Sequence, residues 1–150
     1  MNRKQFLYTV FAAPLLPACG TAGSPQQQQM IVFKDPTCGC CGKWVEHVRA
    51  NSFAVEVKEV SDFADYSRRS GVPSKLRGCH TAIVDGYTVE GHVPAADIQR
   101  LLSERPEAKG LVVPGMPIGS PGMEGGRRQA YSVLLFGTDG RTSVFRDYPA

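Results

Sequence analysis

No stretch of this 150-residue chain reaches the about 20 consecutive apolar residues that a membrane-crossing helix needs. Charge of one sign is also scarce: 17 Lys plus Arg against 14 Asp plus Glu leave a formal +3, too little to argue for a nucleic-acid partner. Five cysteines are too few for a disulfide-dense mini-protein, and 42% hydrophobic residues are too many for a disordered chain. The length excludes a multi-domain enzyme. Nothing resembles a phosphate-binding glycine loop, a Ser-His-Asp set or a paired-carboxylate site. What is present is one ordinary domain's worth of apolar residues, with 16 Gly and 11 Pro promising long loops.

The N-terminus has its own character. Arg3 and Lys4 precede an apolar run from Phe6 to Leu16, broken by Thr9 and Pro14. A charged segment followed by an apolar one of about 7–15 residues is an export signal. Residues 1–18 are therefore expected to be a leader, and the cysteines to meet an oxidising, periplasmic compartment. Leu16-Pro17-Ala18-Cys19 resembles a lipoprotein signal, which would make Cys19 a lipid anchor and the chain's only link to a membrane. Cleavage after Ala22 is the rival and would discard Cys19. Residues 19–29, with four consecutive glutamines, read as a flexible tether, and 30–150 as the folded domain. Loss of Arg3 and Lys4 lowers the charge from +3 to +1.

Met30–Phe33 fits a buried strand. Cys41, Trp44, Val45 and Val48 then recur at the spacing of one helical face. Val55 and Val57 alternate with charged residues in a second strand. Ser61 or Asp62 can cap a helix ended by Gly71 and Pro73. Thr81–Val84, Asp85-Gly86 and Tyr87–Glu90 form a hairpin with a two-residue turn. Pro94 opens a helix whose face is Ala95, Ile98, Leu101 and Leu102. The order β-α-β-α-β-β-α implies an α/β sheet with its central strands parallel and the last hairpin antiparallel. Residues 109–128 read as a long loop, and a hairpin from Tyr131 to Arg146 should join or cover the sheet.

The chemistry concentrates at Cys38-Gly39-Cys40-Cys41, between the first strand and the first helix. Thiols at a helix N-terminus lie near free backbone N–H groups and the positive end of its dipole, which favours thiolate. Three thiols in four residues exceed what a two-electron dithiol switch requires, and they suit a soft ion such as Cu(I). The bland alternative is one disulfide plus a spare cysteine. Cys79-His80 precedes the third strand and should approach this cluster, adding a fourth thiol and an imidazole. Met116 and Met123, in a Gly/Pro-rich loop, are candidate thioether ligands. His92 reads as structural at a helix entry, His47 as solvated and Trp44 as core.

Asp35 to Trp44, Cys79-His80-Thr81-Ala82, Glu90-Gly91-His92-Val93-Pro94 and Pro114-Gly115-Met116-Pro117 together resemble the CopG-like periplasmic metal-binding family. Its members, long described as a domain of unknown function, are associated with bacterial copper resistance. The resemblance implies a thioredoxin-like fold and copper bound at the C-x-C-C motif. It also implies handling of copper between Cu(I) and Cu(II), which leaves a copper oxidoreductase open beside the favoured reading of a metal-binding protein. Thioredoxins, also similar at the strand-to-helix junction, carry a cis-proline where this chain has His80.

Two functions follow. One is a periplasmic copper-binding protein for copper resistance, using Cys38, Cys40, Cys41 and Cys79, with His80, Met116 and Met123 as further ligands and other periplasmic copper-handling proteins as partners. The other is a thiol–disulfide oxidoreductase exchanging through Cys38 and Cys41. Zinc in a Cys/His set fits the same ligand types.

Overall fold

The computed structural model describes residues 27–150, so the leader, Cys19 and most of the tether lie outside the described residues. Seven strands form one sheet: β1 (Gln28–Lys34), β2 (Phe53–Glu59), β3 (His80–Val84), β4 (Tyr87–Glu90), β5 (Gly110–Val112), β6 (Tyr131–Phe136) and β7 (Thr142–Tyr148). Three helices interrupt them: α1 (Gly39–Ala50), α2 (Phe63–Arg69) and α3 (Ala95–Glu104), with a 3₁₀ turn at Ser74–Leu76. The spatial order is β2-β1-β3-β4-β5-β6-β7. Its first four strands, with α1, α2 and α3, make the thioredoxin-like core, and the C-terminal hairpin extends the sheet beyond it.

Most elements lie where periodicity puts them. In α1 the buried residues are Cys41, Trp44, Val45 and Val48. Asp62 caps α2, accepting a hydrogen bond from the Asp65 N–H at 2.8 Å. At the β3–β4 turn Asp85 and Gly86 both have positive φ, the geometry of a two-residue turn that matches strand twist.

Three expectations are corrected. The strand taken to begin at Met30 begins at Gln28, because its first two residues need only backbone pairing, with Phe53 and Ala54. The 109–128 loop contains β5, whose three residues pair with both β4 and β6 and are too few to show a period. Most consequentially, the central strands are not uniformly parallel: β1 pairs parallel with β2 but antiparallel with β3.

Side-chain alternation splits the core between two faces. Val32, Ala82, Val89 and Leu111 join Trp44 and Val48 of α1 and Ile98 and Leu101 of α3 in the main core. On the other face Val112 and Phe136 pack with Val72 and Leu76, and Phe33 stacks on Tyr66 of α2 at 4.5 Å between ring centroids. The last strand is tied back to α3: buried Asp97 accepts a hydrogen bond from the Tyr148 hydroxyl at 2.7 Å and pairs with Arg146 at 2.8 Å.

Candidate metal centre

The antiparallel pairing of β1 with β3 builds the site. Lys34 at the end of β1 lies opposite His80 at the start of β3, so the turn leading to Cys38 emerges beside Cys79. The antiparallel β3–β4 pairing repeats the effect, setting Thr81 opposite Glu90 and bringing Gly91 and His92 to the same sheet end. A parallel β3 would have started at the far end of the sheet. Three chain segments thus deliver sulfur and imidazole to one place.

The sulfurs of Cys38, Cys40, Cys41 and Cys79 all lie within 4.8 Å of one another. Cys38 and Cys41 are joined by a disulfide, while Cys40 and Cys79 are free thiols. Cys38 is also the N-cap of α1, its sulfur accepting the Cys41 N–H at 3.3 Å. Cys40 Sγ is 3.5 Å from Cys38 Sγ. Cys41 is fully buried, its sulfur 3.3 Å from the Cys79 carbonyl, whereas the other three are half-buried.

A second group shares Cys79. Its sulfur, one ring nitrogen of His80 and one of His92 also lie within 4.8 Å of one another. Cys79 Sγ is 3.2 Å from His92 Nε2 and 3.5 Å from His80 Nδ1. The His92 tautomer follows from its other contact. Nδ1 is 2.7 Å from the Pro121 carbonyl, which can only accept, so Nδ1 carries the proton and Nε2 presents a lone pair to the thiol. His80 is fully buried against Trp44, ring centroids 4.3 Å apart, and its Nε2 has no hydrogen-bond partner among the described residues.

Burial sets the electrostatics. It pushes the Cys79 thiol up to about 12, with the neighbouring Cys40 sulfur adding to the effect, so without a cation this sulfur stays protonated. Burial likewise lowers His80 to about 3 and His92 below its usual range, keeping both imidazoles neutral. Neutral imidazoles are the form that ligates metal, and a bound cation removes the proton from a coordinating thiol. Beneath the site, buried Glu90 accepts hydrogen bonds from the Gly78 N–H at 2.7 Å and the Thr81 hydroxyl at 2.6 Å, fixing the residues on either side of Cys79-His80.

The loop after β5 closes over these groups. A Cβ added at Gly122 would stand 2.8 Å from the Cys40 carbonyl and 3.2 Å from His92 Nδ1, so the loop backbone lies directly on the site. Met123 follows that glycine and is half-buried, while Met116 is 51% exposed. The four cysteines are brought together as expected, whereas His80 meets them only through Cys79, in the second group. His92, read as structural, is a member of the second group. The signal for it was the hairpin register, which sets residues 91–92 beside 79–80. His47, read as solvated, is half-buried, and its Nε2 accepts the Ala95 N–H at the start of α3 at 3.0 Å.

Comparison with known proteins agrees with this fold. Residues 76–123 match a family model described as a protein of unknown function, DUF411. Two solved structures of a copper resistance protein, CopG Form 1 and Form 2, are each 46% identical to this chain with a TM-score of 0.77. Form 1 is matched over 83% of this chain and 99% of that one, and Form 2 over 81% and 98%. No curated protein matches.

Proposed function

The chain belongs to the CopG copper-resistance family, and from that premise we propose that it is a periplasmic copper-binding protein that takes up Cu(I) through Cys38, Cys40, Cys41 and Cys79. The observation that carries this reading is the convergence of four sulfurs within 4.8 Å. Thiolates are soft donors that suit Cu(I), and four so close can bridge more than one ion in a small cluster. His80 and His92 add neutral nitrogen donors at the Cys79 side. Met116 and Met123 are the thioether donors of the loop that closes over Cys40.

The Cys38–Cys41 disulfide is, in this reading, the oxidised form of the binding set. Joining two thiolates releases two electrons, which reduce two Cu(II) to two Cu(I). The reverse step, disulfide reduced by two Cu(I), regenerates two thiolates and two Cu(II). Cycling between the two states is therefore chemically balanced on the residues present. Residues 1–18 serve export, Cys19 is a lipid anchor or is lost with the leader, and other periplasmic copper-handling proteins are the partners. Among the described residues no helix is long and apolar enough to cross a membrane.

Two other readings each have an observation behind them. The disulfide at a strand-to-helix junction favours thiol–disulfide exchange through Cys38 and Cys41, and the Cys79–His80–His92 group favours zinc. Retention of Cu(I) against a competing chelator, compared between reduced and disulfide-containing protein, separates them. The copper reading expects the reduced form to hold Cu(I) at least about 100-fold more tightly, because it supplies two more thiolates. Equal retention by the two forms, or a preference for zinc in the reduced form, contradicts it.

A further inference from the structure

A cleft of about 550 Å³ opens beside the disulfide, between the turn after β1, the start of α2 and the segment entering β3. Asp35, Cys38, Asp62, Arg68, Arg77 and Cys79 are among its lining residues. The volume is that of a small-molecule site. Cys38 opens on the cleft while its disulfide partner Cys41 is fully buried, so an incoming nucleophile can reach only one of the two sulfurs.

The charges in the cleft are unequally free. Asp35 is taken up by the Thr37 N–H and hydroxyl, and Asp62 caps α2. Arg68 is paired with Asp65 at 2.7 Å. Arg77 is half-buried and held by its Nε, which donates to the Val72 carbonyl at 3.0 Å; its terminal nitrogens make no hydrogen bond among the described residues. The carboxylate behind it, Glu90, already accepts from Gly78 and Thr81. Arg77 is thus a positioned guanidinium that feels the Glu90 carboxyl but hydrogen-bonds no carboxylate among the described residues, on the wall that also carries Cys79, and a planar guanidinium is suited to a carboxylate.

We propose that this cleft binds a low-molecular-weight thiol bearing a carboxylate, which Arg77 recognises, and that this thiol reduces the Cys38–Cys41 disulfide. The inference rests on the copper reading only in taking that disulfide as the oxidised form of the binding set. The thiolate of one such molecule attacks Cys38 Sγ, the Cys38–Cys41 bond breaks, and Cys41 leaves and takes up a proton. A second molecule then attacks the small-molecule sulfur of the mixed disulfide and releases Cys38 as thiolate. The Cys41 N–H, 3.3 Å from Cys38 Sγ, is placed to stabilise that thiolate. Two small thiolates lose two electrons in forming their own disulfide, and Cys38 and Cys41 gain those electrons, Cys41 with one proton from solvent and Cys38 as the thiolate.

The test follows disulfide reduction in the purified protein, by alkylation and mass spectrometry without oxygen, with glutathione, neutral mercaptoethanol and cationic cysteamine. Each rate is divided by the same thiol's rate on a linear model disulfide. Glutathione is expected to exceed mercaptoethanol by about tenfold, the size of one charge-assisted contact. Arg77→Gln should bring that ratio towards one, Arg77→Lys should restore part of it, and Arg141→Gln, outside the cleft, should keep it. Equal ratios for glutathione and mercaptoethanol, a preference for cysteamine, or an undiminished ratio in Arg77→Gln would overturn the proposal. Cu(I) binding by protein reduced with a phosphine is measured alongside. Copper binding without a glutathione preference sinks this inference alone, and a glutathione preference without copper binding sinks the copper reading alone.

Discussion

Cys79 Sγ faces His92 Nε2 at 3.2 Å, joining two residues 13 apart in sequence across the β3–β4 hairpin. The contact has a direction. Pro121 fixes the proton on the far ring nitrogen, so the imidazole offers its lone pair where the thiol stands. A thiol with a neutral, oriented imidazole beside it is prepared to give up its proton if a cation binds there.

Replacing His92 with alanine should therefore weaken Cu(I) retention by about 10- to 100-fold, the usual cost of losing a ligand or its orienting partner. Chelator competition on the reduced variant measures it. Unchanged retention would reduce His92 to a pin for the Pro121–Gly122 loop.

Glu90 holds the backbone on both sides of Cys79-His80. Glu90→Ala leaves the Gly78 N–H and the Thr81 hydroxyl without their partner and should cost about 2–4 kcal/mol in urea unfolding. Glu90→Gln, which keeps one acceptor oxygen, should lose less. Similar losses in both variants would mean that charge, rather than the two hydrogen bonds, matters there.

Gly122 has a φ of +87°, and a Cβ there would stand 2.8 Å from the Cys40 carbonyl and 2.9 Å from the Trp44 nitrogen. Gly122→Ala must lift the loop from α1. A stability loss of about 1–3 kcal/mol and weaker Cu(I) binding are expected together. Thermal unfolding and the copper titration on one preparation check both, and a change in neither would place the loop off the site.

The His47 cap predicts a pH dependence. Burial holds its pKa below the ordinary 6.5, against a smaller opposing pull from Glu124, and Nε2 must be unprotonated to accept the Ala95 N–H. As pH falls through 6.5 the unfolded chain takes up this proton first, so the contribution of His47 is whole above 6.5 and shrinks below it. His80 and His92 add to the same slope. Urea midpoints at neutral and mildly acidic pH should thus converge in part in His47→Gln. An identical slope in the variant would remove His47 from the explanation.

Much of this was legible in local pattern. The four apolar positions of α1, the Asp62 cap, the Asp85-Gly86 turn and the final hairpin each follow from chemistry within a few residues. What was not legible depends on pairing between distant segments. Alternating strands and helices suggest parallel neighbours, yet β3 runs antiparallel to β1, and that reversal brings Cys79 to the end of the sheet where Cys38 emerges. The contact of His92 with Cys79 and that of His47 with the Ala95 N–H were missed for the same reason: what each touches lies on another element. Sequence could name Cys38 and Cys41 as an exchanging pair, but that they are joined while Cys40 stays free is seen only in the fold.

The most direct measurement is an anaerobic titration of the fully reduced protein with Cu(I), counting reactive thiols after each addition. If Cys38, Cys40, Cys41 and Cys79 form one binding set, all four should become protected together as copper saturates, and Cys79→Ser should loosen the protection of the other three. Four thiols that remain reactive at saturation, or protection confined to Cys38 and Cys41, would contradict a shared copper site.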